Sequence, residues 1–369
     1  MIYFDSAATT MPLPEAIKAA EQVLTQVCGN PSSLHAAGFQ AEQTLEQARR
    51  TVAEAAGVKP DEFLFTPGGS ASDNLAIRGY AGTKRGGRLI TSEYEHPAVT
   101  ESFKSLEEQF EIVRLRPENG IITPEVLAAA LTDDTRLVSI MHVNNETGSV
   151  NPIKELAKLT RRRCPDAVFH TDAVQGFMKE PFDYSCVDMA SFAAHKTHAL
   201  RGIGGLYVRK GIRLRPLIYG GGQEKGLCCG TENTAAAAAW AESVKVLSSG
   251  LQQSRNTVGQ MNAALRKSLT SMGAVIVSPE DASPFILNAI FEGFLSENIL
   301  HFLSNRDIYV STGSACSSKK GSAVFKALGM EKYAKSAIRI SFSHLNTMQE
   351  VSLLEQGLRD ATATLIKVK

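Results

Sequence analysis

The chain has 369 residues, 43% hydrophobic and 21% charged, with a formal net charge of +1. That length exceeds the usual size of one hydrophobic core, and the composition is that of an ordinary globular protein, so a large domain with a smaller companion is expected. The balanced charge excludes the basic footprint of a nucleic-acid or anionic-membrane binder.

The opening stretch "MIYFDSAATTMPLP" lacks the charged and apolar regions of a signal peptide. From residue 62, short β-rich runs alternate with longer helical patterns. "EFLFT" (62–66) precedes a helical stretch from Ser70, "RLITS" (88–92) precedes "HPAVTESFKSLEEQ", and "FEIVRL" (110–115) precedes "TPEVLAAAL". "RLVSIMHV" (136–143) precedes "NPIKELAKLTRRR", and "AVFHTD" (167–172) follows. This alternation predicts βα units and a mostly parallel sheet covered on both faces. "MASFAA" and "GGLYVR" predict two further strands, and the alanine-rich run predicts a helix over 231–249. "SSG" at 248–250 predicts a break and a domain boundary. The last third reads as α+β: a helix, strands "AVIVS" and "PFILNAIF", a helix, a loop, strand "AIRISFS" and a closing helix. No apolar run is long enough to span a bilayer. The six cysteines show no C-x-x-C spacing, so neither a disulfide framework nor a structural zinc site is indicated. A reduced, cytoplasmic protein is expected.

In parallel sheets, ligands gather at the C-terminal ends of strands. "TPGGS", "EYEH", "HVNNETG", "TDAVQ" and "AAHK" all fall at that edge. In "FTPGGSASDNLAI", two glycines turn the chain and Ser70 opens a helix, which suits either an anion cradle or an ordinary capped turn. Lysine is among the residues least often buried, yet "SFAAHK" drives Lys196 to the end of an apolar strand. Such a lysine can carry a Schiff base with an aldehyde cofactor. Pyridoxal phosphate needs that lysine, a phosphate cradle and an acid for its ring nitrogen. Asp172 closes the preceding strand, Gln175 follows it, and His96 sits at another strand end. Taken singly, Asp172 also reads as a helix cap and His96 as a satisfied polar residue. In "AIRISFS", Arg339 alternates with apolar residues and so faces a polar side, where its planar fork suits a carboxylate or water. Cys316 lies among Ser, Gly and Ala with Lys319 and Lys320 close behind, a composition wrong for a core and right for a reactive thiol.

The series "FDSAATT", "GNPSSLHAAG", "FTPGGSASDNLAI", "EHPAV", "SIMHVNNETG", "HTDAVQ", "AHK", "GGGQEKG", "GTEN", "STGSACSS" and "IRISFS" resembles the cysteine desulfurases, long-loop branch, in order over nearly the whole chain. These are pyridoxal-phosphate enzymes of the class V aminotransferase group. The resemblance implies an α/β type I aminotransferase fold, with a mostly parallel sheet in a large domain and a smaller α+β domain. Joined to the predicted elements, it puts the large domain at 15–250. The small domain then comprises 1–14 and 251–369 and carries Cys316 and Arg339. Lys196 would hold the cofactor covalently, Asp172 would pair with the ring nitrogen, Gln175 with the ring oxygen, and His96 would stack on the ring. Gly69, Ser70 and His195 would hold the phosphate, and Thr231 would reach it from the other subunit of a homodimer. Asn145 would contact cofactor and substrate, and with Arg339 would hold the substrate carboxylate. Cys316 would accept sulfur from L-cysteine as a persulfide, releasing L-alanine, and pass it to an acceptor protein such as an iron–sulfur scaffold or a thiolation enzyme. No resident metal is implied, beyond a transient iron–sulfur cluster on Cys316. A selenocysteine lyase or related class V lyase is the alternative, with a degenerate sulfur-relay protein behind it. The chain departs from the usual pattern at three places: Cys228-Cys229, Ala193 where a hydroxyl residue is usual, and "THALRG" after the lysine.

Overall fold

The computed structural model describes residues 1–312 and 322–367. The chain opens on a short strand, β1 (Ile2–Tyr3), and two helices, α1 (Pro14–Gln26) and α2 (Ala36–Ala55). It then enters the large sheet through β2 (Phe63–Thr66), α3 (Gly69–Asn74), β3 (Arg88–Ser92), α4 (Pro97–Lys104) and β4 (Glu111–Leu115). After α5 (Pro124–Ala130) come β5 (Thr135–Ser139), α6 (Ile153–Arg163), β6 (Val168–Asp172), β7 (Met189–Ala193) and β8 (Gly204–Val208).

The seven strands lie in the order β2-β8-β7-β6-β5-β3-β4. β8 runs antiparallel to both neighbours, and the pairs from β7 to β4 are parallel. Every residue of β2, β6 and β7 is buried, as expected where helices cover both faces of a sheet. Phe63, Phe177, Tyr184, Phe192 and Trp240 make the aromatic centre of this core, with Tyr184 and Phe192 edge-to-face at 5.2 Å.

The helix expected to end near 249 continues as α7 (Thr234–Ser271), 38 residues long. A helical Gly250 costs about 1 kcal/mol relative to Ala. Burial on both sides outweighs it: Trp240, Val244 and Leu247 pack in the large-sheet core, while Val258, Met261, Leu265 and Leu269 pack in a second core. That second core covers a sheet of order β12-β13-β10-β9, made of β9 (Val275–Ile276), β10 (Ile286–Ile290), β12 (Ser311–Thr312) and β13 (Ala337–Ser341). Helices α8 (Ser296–Ser304) and α10 (Met348–Thr364) close it, the short α9 (Ala323–Ala327) comes between them in the chain, and β11 (Ile308–Tyr309) pairs with β1.

The N-terminal segment links the two cores. The Ser341 N–H donates to Phe4 O at 2.7 Å and the Ala7 N–H to Ser341 Oγ at 2.9 Å, while the Thr10 N–H reaches His195 O at 2.9 Å. Among the described residues, no helix is long and apolar enough to cross a membrane.

Candidate active site

At the end of β2, Gly68 takes φ +155°, a backbone state that only glycine adopts readily, and no side chain caps α3. The helix therefore starts at Gly69, one residue before the Ser70 that the sequence suggests. A side chain on Gly204 would meet the Phe192 carbonyl at 2.5 Å and Gly68 C at 2.7 Å, so glycine lets β8 press against this turn. Thr66 Oγ1 and Ser72 Oγ lie 2.8 Å apart beneath it, and Ser72 Oγ donates to Gly205 O. Gly69, Ser70, Thr9, His195 and Arg201 line one open cavity. The first N–H groups of a helix lack intrahelical acceptors, so this turn suits an anion. His195 is held by Thr9 Oγ1 at 3.1 Å, and burial, with the neighbouring cations, pulls it down to about 4, so it is neutral near pH 7.

Deeper, β6 delivers Asp172, whose Oδ1 accepts from the Val174 N–H at 2.9 Å. His96 caps α4 by accepting from the Ala98 N–H on Nδ1 at 3.1 Å, which leaves Nε2 for other partners. Ligating atoms of Asp73, His96 and Asp172 lie within 4.8 Å of one another. Burial pushes both aspartates up; Asp172 raises Asp73 further, whereas His96 pulls Asp172 back. An ionised Asp172 therefore disfavours ionisation of Asp73, and a cation beside Asp172 favours its carboxylate form. Glu95, hydrogen-bonded by Ser92 and the Met141 N–H, is pushed up to about 8 by burial.

Lys196 follows β7. Its Nζ donates to Ala7 O at 2.6 Å and Ala8 O at 2.7 Å. The next residue is clamped from below: Trp240 Nε1 donates to Thr197 Oγ1 at 3.0 Å and Ser243 Oγ bonds Thr197 O. Gln175 Nε2 donates to the same Ala7 carbonyl at 2.8 Å, and Gln175 Oε1 accepts from buried Lys179 at 2.9 Å.

From the small sheet, β13 brings Arg339, 4% exposed. Its Nη1 donates to Asn145 O at 2.9 Å and its Nη2 to Asp5 Oδ1 at 3.0 Å. Its Nε is buried and has no hydrogen-bond partner among the described residues. A guanidinium that keeps an unfilled donor in a dry setting suits an incoming carboxylate.

The Aminotransferase class-V family profile matches residues 2–354. This chain belongs to the class V aminotransferase family. It is 44% identical over 363 residues to a "NifS/IcsS protein homolog" of Lactobacillus delbrueckii subsp. bulgaricus, covering 95% of this chain and 94% of that relative. It is 37% identical to a "Cysteine desulfurase IscS" of Azotobacter vinelandii, covering 99% and 93%. Among solved structures, a "NIFS-LIKE PROTEIN" superposes with a TM-score of 0.94 at 34% identity, covering 99% of this chain and 100% of that one. "SspA in complex with cysteine" superposes at 0.84 with 33% identity, covering 94% and 100%.

Against this class V frame, Gly69, Ser70 and His195 share one cavity, and Asp172 and His96 are adjacent. Gln175 meets Lys196 at the Ala7 carbonyl, and Asn145 meets Arg339. Thr231 is exposed and lines a neighbouring cavity with Cys228 and Cys229; the two cavities share Pro67, Gly202 and Ile203. Cys316 lies outside the described residues. The Ala193 side chain faces Gly69: a Cβ on Gly69 would sit 3.3 Å from that of Ala193. Sequence reasoning missed Asp5, Asp73, Glu95, Lys179 and Arg201. Asp5, Asp73, Glu95 and Arg201 lie inside stretches quoted above and Lys179 lies four residues after Gln175, and that placement is the one signal the sequence carries for them.

Proposed function

We propose that this chain is a pyridoxal-phosphate-dependent cysteine desulfurase, which converts L-cysteine to L-alanine and leaves a persulfide on Cys316 for transfer to an acceptor protein. The observation that carries the reading is the convergence on Lys196. Its charge is felt at Asp172, His96, His195 and Asp5, and Arg339 approaches from the second sheet with an unfilled buried donor. The similar chains named as desulfurases, and the similar structure described in complex with cysteine, support the substrate.

The residues fit the cofactor. Asp172, buried and next to a neutral-leaning His96, would pair with its ring nitrogen, and Gln175 with its ring oxygen. Gly69, Ser70 and His195 would take its phosphate, and Lys196 its aldehyde carbon. When bound, the cofactor supplies an electron sink for charge left at the substrate α-carbon. Arg339, with Asn145 beside it, would orient the substrate carboxylate. Lys196 Nζ would take the α-proton, with His96 as a second proton carrier. The Cys316 thiolate would form an S–S bond to the substrate sulfur while the Cβ–S bond breaks, and a proton delivered to Cβ and one returned to Cα complete alanine. The balance is L-cysteine plus one thiol giving L-alanine plus one persulfide. Thr231 is proposed to complete the neighbouring site in a homodimer. Residues 15–250 are proposed as the cofactor domain, with 1–14 and 251–369 as the smaller domain. The five cysteines among the described residues are free thiols, which suits a reducing cytoplasm.

The test uses the cofactor-loaded chain with L-cysteine. Alanine and transferable sulfur should appear in equal amounts. In Cys316→Ser, cysteine should still change the visible spectrum while sulfur transfer stops. Undiminished sulfur transfer by that variant would contradict the assignment of Cys316 and point to Cys228 or Cys229.

A further inference from the structure

We infer that Lys179 is a positioning residue for Lys196, acting through the Gln175 amide and the Ala7 carbonyl. The inference rests on the reading of Lys196 as the residue that captures the cofactor.

Lys179 is 6% exposed, unusual for a lysine, and lies in the turn that follows β6. It begins a continuous chain of hydrogen bonds. Lys179 Nζ donates to Gln175 Oε1 at 2.9 Å, Gln175 Nε2 donates to Ala7 O at 2.8 Å, and Lys196 Nζ donates to that same oxygen at 2.6 Å. The Ala7 backbone is itself pinned, because its N–H donates to Ser341 Oγ at 2.9 Å. A carbonyl only accepts, so the amide must turn its NH2 to Ala7. An ammonium only donates, so Lys179 holds the other end of the amide in place. With Lys179 gone, Gln175 Oε1 loses its partner in a buried setting and the amide loses the contact that fixes its orientation.

Charge acts along the same line. Lys179 faces Lys196, Arg339, His195 and His198, and His344 lines the same cavity. Its one acidic neighbour in this set, Glu180, is engaged by Arg255 at 3.0 Å. Burial first, then Lys196 and Arg339, pull Lys179 down to about 7. The interaction between two sites is mutual, so a charged Lys179 also favours the uncharged, nucleophilic amine at Lys196.

The experiment follows the rate at which the full-length, cofactor-free chain captures added pyridoxal phosphate, read by visible absorption from about pH 6 to about pH 9 at low ionic strength. Lys179→Met and Lys179→Gln should each slow capture below about pH 7, where the parent Lys179 is charged, and so move the midpoint of the rate profile up by about half a pH unit or more. Lys179→Arg, which keeps charge and donors, should restore the parent midpoint. The glutamine variant keeps a donor without the charge and stands in if the methionine variant does not fold. Neutral variants with the parent midpoint would overturn the inference. A parent chain that captures no cofactor would instead overturn the reading of Lys196, so the two failures are distinct.

Discussion

At the inner end of the site, Asp73, Glu95 and Asp172 are 1%, 4% and 5% exposed, and His170 is bracketed by Ser139 and Ser191 at 2.8 and 2.9 Å. At the outer end, Pro67, Ser70, Arg201 and Thr231 are exposed, and the recognition elements are a backbone turn and a neutral histidine. The inner end is therefore a set of buried titratable side chains in a low-dielectric setting, with Glu95, His170 and Asp172 each accepting or sharing a named hydrogen bond. The outer end relies on groups that water can replace. Charges in the dry region interact strongly and are costly to leave unpaired, whereas a lost contact at the wet edge is largely made up by solvent. Substitutions of equal chemical size should have very unequal effects at the two ends.

The largest effect is expected at Asp172. Asp172→Asn removes the inner carboxylate and should lower turnover by about a hundred- to a thousandfold while leaving the fold intact. Steady-state kinetics at saturating cofactor measure this; a loss of only a few fold would mean that the inner end is not the electrostatic centre. Arg339→Gln comes next. It removes a charge-assisted fork worth roughly 1.5–3 kcal/mol, so KM for L-cysteine should rise about ten- to a hundredfold, with cofactor capture retained. Equal losses in cofactor capture would show that Arg339 holds the site together rather than the substrate.

The inner end should also leave a signature in stability against pH. Burial lowers His170 from 6.5 to about 3 and His142 from 6.5 to about 4. Both are neutral in the folded chain, so their contribution is intact above pH 6.5 and is lost as pH falls toward these lowered values. Glu95, raised from 4.5 to about 8, has the opposite sign: its contribution is full below 4.5 and is lost as pH rises through 8. Denaturant midpoints should fall on both sides. His170→Asn should flatten the acid side and Glu95→Gln the alkaline side, each by up to a few kcal/mol. The smallest effect belongs to the outer end. Ala193→Ser adds a hydroxyl next to Gly69, and cofactor loss during dialysis with cysteine present should slow by about tenfold at most. An effect as large as that of Asp172→Asn would erase the contrast between the two ends.

The same contrast governs what could be read from the sequence. The strands of the large sheet were legible because, buried on both faces, they are short apolar runs between turns, and their polar ends mark one edge. Helices α1 and α2 gave little signal, since their buried faces are made largely of Ala16, Ala20, Ala41, Ala48 and Ala53. The break that Ser and Gly suggest at 248–250 does not form, because burial of Leu247 and Val258 by two separate cores outweighs the local preference and decides the helix. In the site, Lys196, Asp172, His96 and Arg339 stood out as polar residues at the ends or on the polar face of apolar strands. Lys179 and Asp73 did not. Their meaning depends on contacts with Gln175 and Asp172 made by folding, and one lysine in a turn carries no such information by itself.

Two buried or half-buried lysines, Lys196 and Lys179, meet through one amide and one carbonyl, and the covalent role is proposed for the first alone. Borohydride reduction of the cofactor-loaded chain, followed by peptide mass mapping, fixes the cofactor to whichever amine holds it. The predicted result is a single modified peptide with the label on Lys196, and an unlabelled Lys179. Label on Lys179, or divided between the two, would contradict the assignment.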